Sequence, residues 1–345
     1  GNNNRVITSN DGINWIIRHT PNSNNWKSIC WSSILNLFVA VSNTGSFDRV
    51  MTSPDGINWT ARSTPSNNSW VSVASCKNTN LLVALADDGN DYRCMISYDG
   101  INWILKQPGA NYKWSKVTWC NYLNKFIAIA SSGDGDRIMT SPDGIIWTII
   151  PNTSYDLNWT CIVSSESLIV ALSNSGTSNR VILSNDSLNW SLTSDANNFN
   201  WKSVCWSSEL NLFVAVASSG NITYKSDDVG YIINSRIMTS IDGQIWVASK
   251  LEIYNDWSSI CWASNIGKFI AVSTSGNNNR VITSIDGLNW ISQTSANNNN
   301  WTSICWSTEL NLAVAISNTG IGNRIMTSPN GITWTSRISP EDNNW

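Results

Sequence analysis

Arg49-Val-Met-Thr-Ser53-Pro-Asp-Gly-Ile-Asn-Trp59 decides the fold, because the chain repeats it along its whole length. An Arg followed four residues later by Ser, usually then by x-Asp-Gly, and ten residues after the Arg by Trp, starts at Arg5, Arg49, Arg93, Arg137, Arg180, Arg236, Arg280 and Arg324. The intervals are 44, 44, 44, 43, 56, 44 and 44 residues, so one unit length holds throughout and the exception carries a single insertion. A period of this size fits one four-stranded propeller blade.

Working outward from that stretch, alternation and turn chemistry divide the unit into strands. Trp201-Lys-Ser-Val-Cys-Trp206 predicts a first strand, a Ser-Ser-Glu-Leu-Asn turn follows, and the continuous apolar run Leu212-Phe-Val-Ala-Val216 predicts a second strand buried on both faces. After a Gly-containing loop comes a third strand of the Arg324 to Ser328 type, then a tight Asp-Gly turn, then a fourth strand opening at the Trp, as in Trp59-Thr-Ala-Arg62. In that turn Asp accepts hydrogen bonds from nearby backbone, and Gly takes positive φ without a Cβ clash. No segment sustains a 3.6-residue period, so helix is not expected. The expectation is an all-β chain, a β-propeller of four-stranded antiparallel blades forming a single domain over 1–345. It would hold an outer hairpin of a partial blade at 1–18, seven full repeats over 26–337, and the start of a further repeat at 345. Completing the split blade would make eight.

The 21 Trp all fall on three repeat positions. Eight follow the Asp-Gly turn (Trp15, Trp59, Trp103, Trp147, Trp190, Trp246, Trp290, Trp334), eight open the first strand from Trp26 to Trp345, and five lie further along it (Trp31, Trp119, Trp206, Trp262, Trp306). Packing between blades is their expected role, which leaves no Trp outside the core for a ligand. The turn carboxylates Asp11, Asp55, Asp99, Asp143, Asp242 and Asp286 share one repeat position and are expected to be structural. Eight of the eleven Arg likewise share one position, which points to a repeated structural contact. The minority reading is a ring of guanidinium groups that binds an anion.

Ser53-Pro-Asp-Gly-Ile-Asn-Trp59 and Ser141-Pro-Asp-Gly-Ile-Ile-Trp147 resemble the Asp-box of BNR-repeat, sialidase-like propellers. That box has one more residue between Asp and Gly and lies in the turn joining the third and fourth strands. The resemblance runs through the entire chain and implies a fold rather than an activity, since the box is structural even in sialidases. Asp186-Ser187 and Asn330-Gly331 depart from the pattern, so those turns are expected to be looser. A weaker likeness, carried by Asp-Gly-x-Asn-Trp arrays, is to phage and giant-virus surface repeat proteins.

The catalytic set of a sialidase is absent from the pattern, because its three arginines, Tyr-Glu pair and Asp acid would each have to break the repeat. One histidine, His19, cannot build a metal site or a Ser/His nucleophile by itself. Carboxylates fall in turns, such as Glu209 and Glu309 in equivalent ones, and form no acid/base pair. Neither an enzyme nor a cofactor or metal is expected. Cys30, Cys205, Cys261 and Cys305 occupy one repeat position in different blades, too far apart to bridge, and with Cys76, Cys94, Cys120 and Cys161 they are expected to be buried free thiols. That mildly favours maturation in a reducing compartment.

With net charge −3 and only scattered basic residues, the chain lacks the electrostatic footprint of a nucleic-acid binder. No apolar run is long enough to span a bilayer, and neither a signal peptide nor a lipidation motif is present, so the chain is expected to be soluble without membrane insertion. It opens at Gly1 without Met, which fits a processed or trimmed product and leaves its localisation open. The long Asn/Ser/Gly-rich loops, between blades and between second and third strands, emerge on one face. Partners are expected there. The 56-residue interval puts its insertion on that face at about Asn221 to Ser235, with Tyr224, Lys225, Asp227, Asp228 and Tyr231 as the candidate interaction loop. Two functions compete: a structural or protein-interaction module, sited on a virus or phage particle or another extracellular surface, and a multivalent lectin with one glycan site per blade.

Overall fold

A computed structural model describes residues 3–89, 91–151, 156–177, 179–193, 198–220, 235–249, 251 and 253–344. Among these the chain is all-β apart from one 3-10 turn at Ser264–Ile266, and no helix is long and apolar enough to cross a membrane. Seven four-stranded sheets span 26–62, 70–106, 113–149, 159–193, 199–248, 257–293 and 301–337, and are called blades 1 to 7 here. The strands Val6–Thr8 and Ile16–Arg18 make an eighth, two-stranded sheet. In blade 1 the strands Trp26–Ser32, Leu37–Ser42, Val50–Ser53 and Thr60–Arg62 pair in chain order. The chain divides into two compact units, one of Gly1–Thr8, Ile17–Ile169 and Ser184–Trp190, the other of Ser9–Ile16, Val170–Leu183 and Ser191–Trp345. Blades 1 to 3 lie in the first and blades 5 to 7 in the second.

Local chemistry explains the turns. Between first and second strands Asn36, Asn124, Asn211 and Asn311 take φ of 48 to 51°, a left-handed conformation that Asn tolerates better than most residues. The second strand is covered on both faces, as its continuous apolar pattern demands, with Leu82 to Ala86 and Phe213 to Ala217 buried throughout. Contrary to the sequence reading, the fourth strand begins one residue after the Trp, at Thr60 in blade 1. The ring is held back in the turn because its Nε1–H donates to the glycine carbonyl, as from Trp59 to Gly56 at 2.9 Å.

One irregularity recurs in the first strand. Trp26 pairs with Ser42 and Ser28 with Val41, so Lys27 is an extra residue, a β-bulge that re-aims its side chain. The same slip places Ser115 in blade 3, Lys202 in blade 5, Ser258 in blade 6 and Thr302 in blade 7 at bulge positions.

Within each unit, the first-strand Trp of one blade fills the space beside the preceding one. Trp70 packs with Val39, Val41 and Val50, and Trp114 with Leu85, Cys94 and Ile96. Trp257 packs with Val214, Val216 and Ile237, and Trp301 with Ile270, Val272 and Val281. All four rings are fully buried. Each removes about 150–250 Å² from water, an upper bound of roughly 4–6 kcal/mol before ordering costs. The post-turn indoles of blades 2, 3 and 5 to 7 are also buried. Of the five indoles further along the first strand, Trp119, Trp262 and Trp306 are half-buried against the clusters between blades, whereas Trp31, contrary to expectation, is 43% exposed and lies over Phe38 with ring centroids 4.5 Å apart.

Candidate functional site: a polar basin at the bulges of blades 5 to 7

The Asp-Gly turns close on themselves. Asp55 Oδ1 accepts from the backbone N–H groups of Ile57 and Asn58, both at 2.8 Å, and from Ser53 Oγ at 2.9 Å, while Oδ2 takes the Asn58 side-chain amide. The Asn58 backbone and side-chain donors, then the Ile57 N–H, hold the Asp55 carboxyl well below the usual carboxylate range. The same Oδ1 bonds to the residues two and three positions on recur at Asp11, Asp99, Asp143, Asp242 and Asp286. At Asp11, Asp99 and Asp286 an Asn amide takes Oδ2 as well, whereas Asp143 and Asp242 have Ile at that place and bond within the turn through Oδ1. The two divergent turns are not looser. Asp186 Oδ1 accepts from Leu188 and Asn189 at 2.8 and 2.7 Å with Ser187 at φ 67°, and Asn330 Oδ1 accepts from Ile332 and Thr333 at 2.8 and 2.9 Å. An amide oxygen replaces a carboxylate there because the turn needs only an acceptor.

At the other end of each blade the repeated arginines clasp loop carbonyls. Arg49 donates to the Gly45 and Asn43 oxygens at 3.0 and 3.1 Å, and Arg280 to those of Gly276 and Thr274 at 2.9 and 2.8 Å. Loop asparagines are spent similarly: the Asn24, Asn255 and Asn299 amides, each buried, donate to the carbonyls of Asp48, Asn279 and Asn323. These side chains knit each inter-blade linker to the neighbouring loop instead of offering a repeated array of free amides.

In the second unit, at that same loop end, a basin of about 470 Å³ is lined by Lys202, Ser218, Ser219, Asp256, Ser258, Thr274 and Thr302. Three of the seven are the bulge residues of blades 5, 6 and 7. The bulge hydroxyls cap carbonyls: Ser258 Oγ donates to Val272 at 3.1 Å or Trp301 at 2.6 Å, and Thr302 Oγ1 to Ile316 at 3.2 Å. Asp256 is held by Arg236 Nη1 at 2.6 Å. Lys202 is exposed, and among the described residues its ammonium has no ion-pair partner. The volume falls in the range of small-molecule and short-peptide sites.

Sequence reasoning missed this basin. Its signal was the second residue of the first strand, which varies as Lys, Val, Ser, Thr, Lys, Ser and Thr between two nearly constant neighbours. The candidate loop residues Tyr224, Lys225, Asp227, Asp228 and Tyr231 lie outside the described residues. Ser218 and Ser219, which precede that insertion, line the basin, and Ser235, which follows it, is buried. His19 is exposed. The cysteines form no disulfide, but only Cys76, Cys94, Cys120 and Cys161 are buried. Cys30, Cys205 and Cys261 are half-buried against the clusters between blades, and Cys305 is exposed. Among the described residues no group of three His, Cys, Asp or Glu could hold a metal ion.

No family model and no curated protein matches the chain. Solved structures do. The computationally designed protein Ika8 is 12% identical with a TM-score of 0.64 over 93% of this chain and 88% of that one. A structure of YCF48 bound to D1 peptide is 12% identical with a TM-score of 0.56, covering 86% of this chain and 89% of that one. A streptogramin B lyase is 11% identical with a TM-score of 0.58, covering 79% and 84%. At such identities the likeness speaks for the architecture. The chain has the β-propeller fold. Blades 1 to 7 and the hairpin are its repeat units, and activity has to be argued from the sites they carry.

Proposed function

We propose that this propeller is a non-enzymatic binding module that holds a segment of a partner protein in the basin of blades 5 to 7, acting as one domain over residues 1–345. The observation that carries the reading is that basin. It lies at the loop end of the blades, and its described lining residues supply hydroxyls, an ammonium and a carboxylate without a nucleophile–base pair among them. Hydroxyls that have given their proton to a carbonyl, as in Ser258 and Thr302, still accept from a peptide N–H. Among the similar structures, YCF48 is bound to a D1 peptide and another, 12% identical with a TM-score of 0.60, is of the mitotic checkpoint complex, which supports a binding role for this fold. The likeness to Asp-box repeats and to viral surface arrays supports a relative of that family without its catalytic set, working on a particle surface.

Glycan binding, one shallow site per blade, is the second reading. The half-exposed Trp31 favours it, since an exposed indole is a platform for a sugar ring. The asparagines consumed within the loops weigh against it. The test is selection from a random peptide display library on the full chain, with Thr274→Trp, which fills the basin, as counter-target, beside a glycan array. Peptides lost on Thr274→Trp support the module; saturable binding on the array with no peptide selected overturns it.

A further inference from the structure

We infer that the basin selects an acidic side chain of its partner's segment, which pairs with the Lys202 ammonium. This rests on the reading of the basin as a peptide site and names the chemistry it prefers.

The argument begins at the bulge. At this position Ser115, Ser258 and Thr302 carry a short hydroxyl that turns back to a second-strand carbonyl, at 3.0, 3.1 and 3.2 Å. Lys202 instead sends a long cationic chain into the basin from the same kind of bulge. Charge in the basin is otherwise balanced, because Asp256 is neutralised by Arg236 at 2.6 Å. The neighbouring Arg280 is committed to the Gly276 and Thr274 carbonyls and to the Asn300 side chain. Lys202 is therefore the unmatched charge among the described lining residues. Ser219 adds a donor: its Oγ already accepts from Asn200 Nδ2 at 2.7 Å, which directs its own proton elsewhere. An ammonium and a hydroxyl donor lining one basin suit a carboxylate.

The lining also discriminates between sources of negative charge. Among the described residues no aromatic side chain lines the basin, so these residues offer an acidic sugar no ring to stack on. A single cation does not follow a row of phosphates as a nucleic-acid groove must. A peptide supplies both the carboxylate for Lys202 and backbone groups for the surrounding hydroxyls. With a net charge of −3 the protein exerts no long-range pull on acidic partners, so the preference is local.

The test measures affinity of the full chain for capped, fluorescently labelled octapeptides, alternating Ser-Glu against alternating Ser-Gln, with sialyllactose as competitor. The Ser-Glu peptide is expected to bind about fivefold more tightly, an exposed ion pair's typical contribution. Lys202→Gln should abolish the difference, Lys202→Arg should keep it, and Lys77→Gln in blade 2 should leave it unchanged. Equal affinity for the two peptides overturns the acidic preference and leaves the peptide-site reading standing. The preference also falls if neither peptide binds, or if sialyllactose displaces the Ser-Glu peptide from Lys202, and the display selection then judges the peptide-site reading by itself.

Discussion

Ser72 Oγ accepts the Val117 N–H at 3.0 Å and so ties the first strand of blade 2 to that of blade 3. The first strand is a sheet edge, and its outward N–H groups have no partner within their own blade. A serine three positions into the preceding first strand supplies one. The relationship recurs from Ser28 to Val73, Ser203 to Ile260 and Ser259 to Ile304, at 3.2, 3.4 and 3.2 Å.

Ser72→Ala leaves the buried Val117 N–H unpaired and should cost about 1–3 kcal/mol. Ser303→Ala, at the equivalent but exposed position of blade 7, should stay within about 0.5 kcal/mol. Thermal unfolding followed by Trp fluorescence distinguishes them, and equal melting temperatures would remove the inter-blade bond from the account.

The three Trp positions should differ in cost. Trp114→Ala empties a fully buried site between blades 2 and 3 and should cost about 3–5 kcal/mol. Trp31→Ala removes a ring that is 43% exposed and should cost less by about 2 kcal/mol or more, since only one face is packed. Denaturant unfolding of the two variants makes the comparison.

Acid should loosen the Asp turns. Partial burial pushes the Asp286 carboxyl up, but the Asn289 N–H and side-chain amide and the Leu288 N–H outweigh it and bring the value down to about 2. A folded value below the ordinary one, about 3.9, means the contribution is present above pH ~4 and is lost as pH falls toward about 2. Asp286→Asn keeps an Oδ1 acceptor, as Asn330 does in blade 7, so its melting temperature should depend less on pH in that window. An unchanged pH profile would show that the turn charge does not contribute.

Thiol reactivity should follow depth. Burial pushes the Cys94 thiol up to about 12, so at pH 8 roughly one molecule in ten thousand carries the thiolate. Cys305 is exposed and should be alkylated first, with Cys94 reacting only on unfolding, as peptide mass mapping over time would show. Early modification of Cys94 in folded protein would contradict its place in the core between blades 2 and 3.

The repeat was legible because its causes are local. An Asp that accepts from the next two or three N–H groups, a Gly or Ser in the left-handed region and an Asn at positive φ each act within a few residues, so spacing alone yields strand order and turn position. The equivalence of Asn330 to Asp was hidden because the sequence shows a charge difference, whereas the turn uses only the oxygen that both side chains share. The exposure of Trp31 and Cys305 was hidden for a different reason: alternation tells which side of a strand a residue occupies, but not whether that side is covered.

Sequence by itself thus determined the all-β class, the eight repeat copies, the order of strands in a blade and the turn position of Asp55 and its equivalents. Tertiary structure decided what surrounds Lys202. A bulge sets its direction, and it meets Ser258 and Thr302, distant in the chain, only because each buried Trp docks on the preceding blade and brings the first strands side by side. Burial drives that docking without encoding which polar residues it gathers, so the composition of the basin emerges from packing alone.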